Sequence, residues 1–249
     1  MNKKKLKVDI ILPNYNSSQF IAKTIRSVLN QSFKNWKLII VDDCSDTKTK
    51  KILKRYSKNK KIKIYWMKKN RGAAYCRNLG LKKSNSNFIA FIDSDDLWGK
   101  NKLDLQINYM NKNNYFFTYT AYKTFGLQKK NINPPEKLSY SEFIKNTSIA
   151  TSTMIVNSKI IKGVKFTNTK ICEDYFFKCR ILKKISQANC LNKYLTYYRV
   201  RQGSLQSNKL RNLFWIWKIN YRYNKLSFFE NLNSLFFISF NSIKKYGLK

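Results

Sequence analysis

Apolar and polar positions in the first 120 residues switch repeatedly between two periods. Val8-Asp9-Ile10-Ile11-Leu12 is a nearly continuous apolar run, which predicts a buried strand that Pro13 stops. From Phe20 to Asn30, residues Phe20, Ile21, Ile25, Val28 and Leu29 share one helical face. Further strands are predicted at Trp36 to Val41, Ile62 to Trp66, Phe88 to Ile92 and Tyr115 to Tyr119. Helices are predicted at Thr47 to Tyr56, Ala73 to Leu81 and Leu103 to Met110. Such alternation means βαβ units and a largely parallel sheet, and ligands of such sheets bind beyond the carboxyl ends of the strands.

The second half is less periodic. Asn131 to Glu136, with Pro134-Pro135, reads as a loop or turn; Ser152 to Val156 as a strand; Glu173 to Lys184 as a helix; Leu195 to Tyr198 as a short strand. From Lys209 the chain is basic and aromatic, with Leu213-Phe214-Trp215-Ile216-Trp217 and Leu235-Phe236-Phe237-Ile238. No internal repeat is visible. At 249 residues this is one large domain, or one domain with an appendage.

Composition narrows the chemistry. Five scattered cysteines without a CxxC pair, and no histidine, argue against structural zinc and fit a reducing cytosol. The missing histidine excludes every Ser-His-Asp or Cys-His scheme. No signal peptide is read at the start, and no apolar run approaches the roughly 18 residues that span a bilayer. The formal net charge is +37. Such a field favours phosphates, nucleic acid and anionic lipid alike, and a compositional drift toward Lys and Asn would produce the same excess.

The acids are more telling than the bases. Of 13 Asp and Glu residues, eight fall in three groups: Asp42, Asp43 and Asp46; Asp93, Asp95 and Asp96; Glu173 and Asp174. Grouped carboxylates repel one another unless a cation or a chemical task keeps them. Asp93-Ser94-Asp95 follows a predicted strand, where two hard oxygen ligands can share Mg²⁺ or Mn²⁺; the plain alternative is a polar turn. Asp42-Asp43 also ends a strand and suits contact with a polar ligand, whereas Asp46 reads best as a helix N-cap. Glu173-Asp174 opens a helix, where acids stabilise the helix dipole, yet a carboxylate is also the natural general base in a chain without histidine. Asn70-Arg71-Gly72 and Arg77-Asn78 combine a permissive backbone with phosphate-pairing guanidinium groups, or simply form a loop and a helix start.

In order along the chain these segments resemble the motifs of family-2 inverting glycosyltransferases with the A-type fold. The matching blocks are Ile11-Leu12-Pro13-Asn14-Tyr15-Asn16, Ser27-Val28-Leu29-Asn30-Gln31-Ser32-Phe33, Val41-Asp42-Asp43-Cys44-Ser45-Asp46, Asn70-Arg71-Gly72 through Arg77-Asn78-Leu79-Gly80, and Phe91-Ile92-Asp93-Ser94-Asp95-Asp96-Leu97-Trp98. Glu173-Asp174, and Tyr198-Arg199 with Ser204 and Ser207, complete the set over about residues 6–208. The resemblance implies an α/β fold: a Rossmann-like, mostly parallel sheet flanked by helices, with a helical C-terminal extension. It implies a catalytic domain over 1–208, with a nucleotide-sugar half at 1–120 and an acceptor half at 121–208, followed by a basic aromatic tail at 209–249.

The resemblance also implies roles. Pro13, Tyr15, Asp43, Arg71, Asn78, Asp93 and Ser94 would form the nucleotide site, with Tyr15 and Asp43 at the base. Asp93 and Asp95 would hold Mn²⁺ or Mg²⁺ on the diphosphate, and Asp174 would be the general base. Glu173, Arg199 and Arg201 would meet acceptor or phosphate. The donor would be a nucleotide sugar, UDP-linked in the first instance. The acceptor would be a glycan or lipid-linked hydroxyl in surface polysaccharide or lipopolysaccharide synthesis. The location would be cytoplasmic, with peripheral contact at the inner face of an anionic membrane.

Three positions depart from the pattern: Cys44 stands where Gly is usual, Lys100 where Pro is common after the Trp, and Arg201 where many members carry His. A metal-dependent nucleotidyltransferase or nuclease is the alternative enzyme class, but no base-reading motif accompanies the acids. A nucleic-acid-binding module would rest on charge and aromatics alone, and grouped acids would repel phosphate, so no nucleic acid is expected.

Overall fold

The computed structural model describes residues 6–167, 169, 171–202 and 208–246. Its first half alternates as expected: β1 (Val8–Asn14), α1 (Ile21–Leu29), β2 (Trp36–Asp42), α2 (Thr47–Lys54), β3 (Ile62–Trp66), α3 (Ala73–Lys82) and β4 (Phe88–Phe91). Next come β5 (Leu97–Trp98), α4 (Lys102–Lys112), β6 (Phe117–Gly126), β7 (Asn131–Ile132), β8 (Lys137–Leu138) and α5 (Tyr140–Asn146). A 3-10 turn at Thr151–Thr153 leads to β9 (Ile155–Asn157), α6 (Ser158–Ile161), α7 (Glu173–Leu182) and β10 (Ala188–Val200). The tail is α8 (Lys209–Ile219), a π-helical turn at Asn220–Asn224 and α9 (Phe228–Tyr246).

Side-chain alternation along the strands builds two apolar layers. Val8, Ile10 and Leu12 of β1 join Ile21, Ile25 and Val28 of α1 with Leu103, Ile107 and Met110 of α4. Ile11 faces the opposite layer, with Phe91, Phe117, Tyr119, Phe143 and Phe177. Strands apolar on both faces need cover on both, which the flanking helices supply. Gly80 is needed for that cover: a Cβ there would lie 2.5 Å from Ile11 Cγ2, so α3 sits closer to β1 than alanine allows.

The described strands form one sheet in the order β3-β2-β1-β4-β9-β6-β10-β5, with β7 beside β6 and β8 beside β10. β3, β2, β1 and β4 are mutually parallel, as are β6 and β10, so most of the paired length is parallel. The strand order reverses direction at β1, which lies between β2 and β4. That switch point opens a crevice at the carboxyl ends of β1, β2 and β4.

Several boundaries differ from expectation. β1 continues through Pro13 to Asn14; pairing with β4 has already ended at Ile11 and Phe91, so the missing N–H costs no ladder bond on that side. The predicted strand at Ser152 begins instead as the 3-10 turn, because Thr153 Oγ1 turns back to the Ala150 carbonyl at 2.7 Å. β7 lies inside the expected loop, and β5 was not expected. β10 is far longer than Leu195 to Tyr198. Its register shifts between Leu191 and Tyr194, and Asn192-Lys193 at that irregularity disguise the strand in the sequence.

Candidate active site

Strand ends at the switch point deliver the acids. After β2, Asp42 is fully buried and accepts from Asn14 Nδ2 at 2.7 Å and from the Ser45 N–H at 3.1 Å. It therefore ties the ends of β1 and β2 together. Asp43 accepts the N–H groups of Arg71 and Gly72 at 2.8 and 2.7 Å, one on each carboxylate oxygen, and so fixes the loop before α3. Asp46 caps α2 by accepting the Thr49 N–H at 2.7 Å, as read from the sequence. Between Asp43 and this cap, Cys44 takes a φ of +62°, the conformation its usual glycine would adopt without strain. Tyr15 is half exposed just beyond β1, and the Arg71 guanidinium stacks 4.0 Å from the Tyr75 ring. Pro13, Tyr15, Asp43 and Arg71 thus all sit on the carboxyl ends of β1 and β2 or on the loop that Asp43 holds.

Beyond β4, the second cluster is held from both sides. Asp93 pairs through Oδ1 with Arg77 at 2.6 Å, and Asp95 pairs through Oδ2 with Arg201 at 2.9 Å. Asp96 is buried and accepts from Ser152 Oγ at 2.6 Å and from the Arg199 N–H at 2.8 Å. Arg199 also donates to the Asp95 carbonyl at 2.9 Å and lies between the Phe20 and Phe125 rings. Ser94 is fastened through its carbonyl, which accepts from Thr24 Oγ1 at 2.9 Å. Burial, then the neighbouring Asp93 charge, push the Asp95 carboxyl up, and Arg201 opposes them. Asp96 is pushed up further by complete burial.

The third cluster opens α7 on the far side of the crevice. Glu173 pairs with Arg77 at 2.6 Å. One buried guanidinium therefore holds Asp93 through one nitrogen and Glu173 through the other, joining two clusters 80 residues apart in sequence. Asp174 accepts from Lys178 Nζ at 2.6 Å, one helical turn on, and from Thr151 Oγ1 at 2.8 Å. Both bonds end on Oδ2. Burial raises the Glu173 carboxyl against the pull of Arg77. Burial works the same way on Asp174, but Lys178 and Arg77 overcome it and hold this carboxyl well below the usual range. Adjacent carboxylates pushed apart in this way take different protonation roles, and Asp174 is the one kept ionised.

Four residues of this centre were not anticipated. Arg77 was read only as a phosphate partner. Lys178, four residues after Asp174, was legible from helical spacing. Ser152 was hidden at the start of an expected strand and Thr151 just before it; Thr151 reaches Asp174, while Ser152 accepts the Asp93 N–H and donates to Asp96, so this turn separates the two acid groups. Asn78 clasps the Phe166 backbone with both ends of its amide, at 2.8 Å each, and supports the crevice wall from behind. Ser204 and Ser207 lie outside the described residues.

Among the described residues no group of three or more His, Cys, Asp and Glu is arranged as a full metal cage. Asp93 and Asp95 still fit Mg²⁺ or Mn²⁺. They are hard oxygen donors, partly exposed at 31% and 20%, and each uses one oxygen in its arginine pair. Such ions commonly take one or two carboxylates and complete their shell with substrate phosphates and water.

Comparison with known proteins agrees with this geometry. The family model described as "Glycosyl transferase family 2" matches residues 9–177. The chain is 32% identical over 243 residues to the Bacillus subtilis "Putative teichuronic acid biosynthesis glycosyltransferase TuaG", covering 96% of both. It is 36% identical over 216 residues to the Escherichia coli "UDP-Glc:alpha-D-GlcNAc-diphosphoundecaprenol beta-1,3-glucosyltransferase WfgD", covering 85% of this chain and 84% of that one. Among solved structures, S. aureus TarS in complex with UDP-GlcNAc superposes with a TM-score of 0.75 at 21% identity, covering 96% of this chain and 73% of that one. The last likeness bears on the fold alone.

Proposed function

This chain belongs to glycosyl transferase family 2, and we propose that it moves a sugar from a UDP-sugar to a hydroxyl of a glycan or lipid-linked acceptor with inversion. The Arg77 fork carries this reading, because it makes the Asp93 end of β4 and the Glu173-Asp174 start of α7 one site. The names of the relatives, which include a UDP-glucose donor and a diphosphoundecaprenol acceptor, support the substrate class. They also favour a role in surface polysaccharide or lipopolysaccharide synthesis.

The chemistry is a single displacement. Asp174 takes the acceptor hydroxyl proton while the hydroxyl oxygen bonds to the anomeric carbon. The bond from this carbon to the diphosphate breaks on the opposite face, and its electron pair leaves with the nucleotide. Asp93 and Asp95 would hold Mn²⁺ or Mg²⁺, which when bound supplies charge neutralisation for the departing diphosphate. Pro13, Tyr15, Asp43, Arg71, Asn78, Asp93 and Ser94 form the nucleotide side in this reading; Tyr15 offers an exposed ring for the base, and Asp43 and Asn78 shape the pocket. Glu173, Arg199 and Arg201 line the phosphate and acceptor side, and the Arg201 side chain is 49% exposed. Residues 1–120 form the donor half, 121–208 the acceptor half and 209–249 an appended tail, with peripheral contact at the inner face of a membrane. Among the described residues no helix is long and apolar enough to cross a membrane.

The test is transfer from a panel of UDP-sugars with Mn²⁺, with the product anomer read by NMR. Asp174→Asn should lower turnover at least about a hundredfold, the usual worth of a positioned base, while donor binding by thermal shift persists. Undiminished transfer by this variant, or a retained anomeric configuration, would overturn the mechanism.

A further inference from the structure

α9 is amphipathic with its polarity reversed. The residues it turns toward the domain include Asn231 and Ser234, both 0% exposed, and Asn241. These are hydrogen-bonded inward: Asn231 to the Trp217 carbonyl at 3.0 Å, Ser234 to the Ile144 carbonyl at 2.6 Å and Asn241 to the Lys145 carbonyl at 3.0 Å. Phe229, Leu232, Phe236, Phe240 and Ile243 recur at steps of three and four and face outward, with Phe229 80% and Phe236 66% exposed. A helix on a water-facing surface carries the opposite pattern. The tail is still fastened to the domain, since Ile216, Ile219 and Ile238 enter the core beside Tyr175. Packing onto the domain and an exposed apolar face thus belong to opposite sides of the same helices. On α8, Leu210 and Phe214 are exposed as well.

Charge identifies the occupant. Between residues 209 and 246 the sequence holds one acid, Glu230, and it is engaged at the start of α9, accepting the Ser227 N–H at 2.7 Å. A cleft of about 590 Å³ beside the apolar ridge mixes Phe214, Trp217 and Tyr221 with Lys218, Arg222 and Lys225. Aromatic rings alternating with cations, next to an aliphatic and phenyl ridge, match the headgroup level of an anionic bilayer. Each basic residue near such a surface adds about 1 kcal/mol of attraction. A second copy of a chain carrying +37 would be repelled instead.

We propose that the outward face of α8 and α9 is a docking surface for anionic lipid, with the phenylalanine ridge entering the interface and Lys218, Arg222 and Lys225 meeting phosphate headgroups. This names the surface behind the peripheral membrane contact proposed above. The full chain would be sedimented with vesicles of phosphatidylcholine alone and of phosphatidylcholine mixed with an equal part of phosphatidylglycerol. Binding is expected to the mixed vesicles and to weaken with salt. Combined Phe229→Ser, Phe236→Ser and Phe240→Ser should weaken it about tenfold or more, the worth of a single buried Phe side chain. Combined Lys218→Gln, Arg222→Gln and Lys225→Gln should erase the preference for the anionic vesicle. All six side chains are outside the core, and an unchanged melting profile confirms folding of each variant. Absence of vesicle binding by the parent chain, equal binding by both variants, or a dimer in sedimentation velocity that the phenylalanine variant abolishes would each overturn the proposal. Donor binding in the same samples separates the two readings: a chain that binds UDP-sugar but not vesicles defeats the surface alone, and the converse defeats the enzymatic reading alone.

Discussion

At the scale of single residues, the site is a set of matched charges rather than a set of acids. Lys178 illustrates the consequence. Its ammonium is the main force that holds Asp174 ionised against burial. A base with a lowered pKa stays competent as pH falls, so Lys178→Met should move the acid limb of the kcat/KM profile to higher pH. Lys178→Arg should move it back. A profile that keeps its acid limb while only the rate scale changes would mean that Lys178 merely supports the helix. The grouping of the carboxylates is visible in the sequence, and the structure brings the Asp93 and Glu173 groups onto one guanidinium. The sequence did not show which cation each one takes. Arg77 reaches two acids from α3, a helix that Gly80 lets pack closely on β1. Cys44 shows the reverse: a departure from the family pattern that leaves the turn intact, at the cost of a left-handed residue.

At the scale of elements, the parallel first half was legible and the second half was not. β1, β2 and β3 are short apolar runs paired in sequence order, and β4, equally apolar, returns to pair on the other side of β1. β9 and β10 pair across long separations, and their polar residues belong to turns, bulges and the crevice wall. Local pattern carries no information about such partners. The turn was read as strand from Ser152 onward; Thr153 is β-branched, but its hydroxyl bonds the Ala150 carbonyl, while the Thr151 and Ser152 hydroxyls reach Asp174 and Asp96. The seam between α3 and β1 gives a direct test. In Gly80→Ala the added methyl would meet the β-branched Ile11 side chain, which cannot swing away on a strand packed on both faces. Unfolding by urea should register a loss of about 1–3 kcal/mol, and the same methyl should cost less in an Ile11→Ala background, where both Cγ atoms it would meet are gone.

At the scale of the whole molecule, stability and surface answer to different charges. Lys102 lies fully buried under the site, its ammonium 2.8 Å from Gln106 Oε1 and 4.4 Å from the Trp98 ring centre. Burial pushes its pKa down to about 7 from an ordinary value of 10.5. Between those values the unfolded chain binds the proton and the folded chain does not, so stability should climb with pH across this window and be lowest beneath it. Lys102→Met should flatten that slope and raise stability at pH 6 by about 1–4 kcal/mol, as measured by denaturant unfolding at pH 6 and pH 9. The docking proposed for the outward ridge of α9 would set something else, the dimensionality of the search. A chain skimming a bilayer meets a lipid-tethered acceptor by sliding in a plane, so what governs encounter is molecules per area rather than per volume. Turnover on such an acceptor would then follow its surface density and fall when the same number of acceptors is diluted into more lipid.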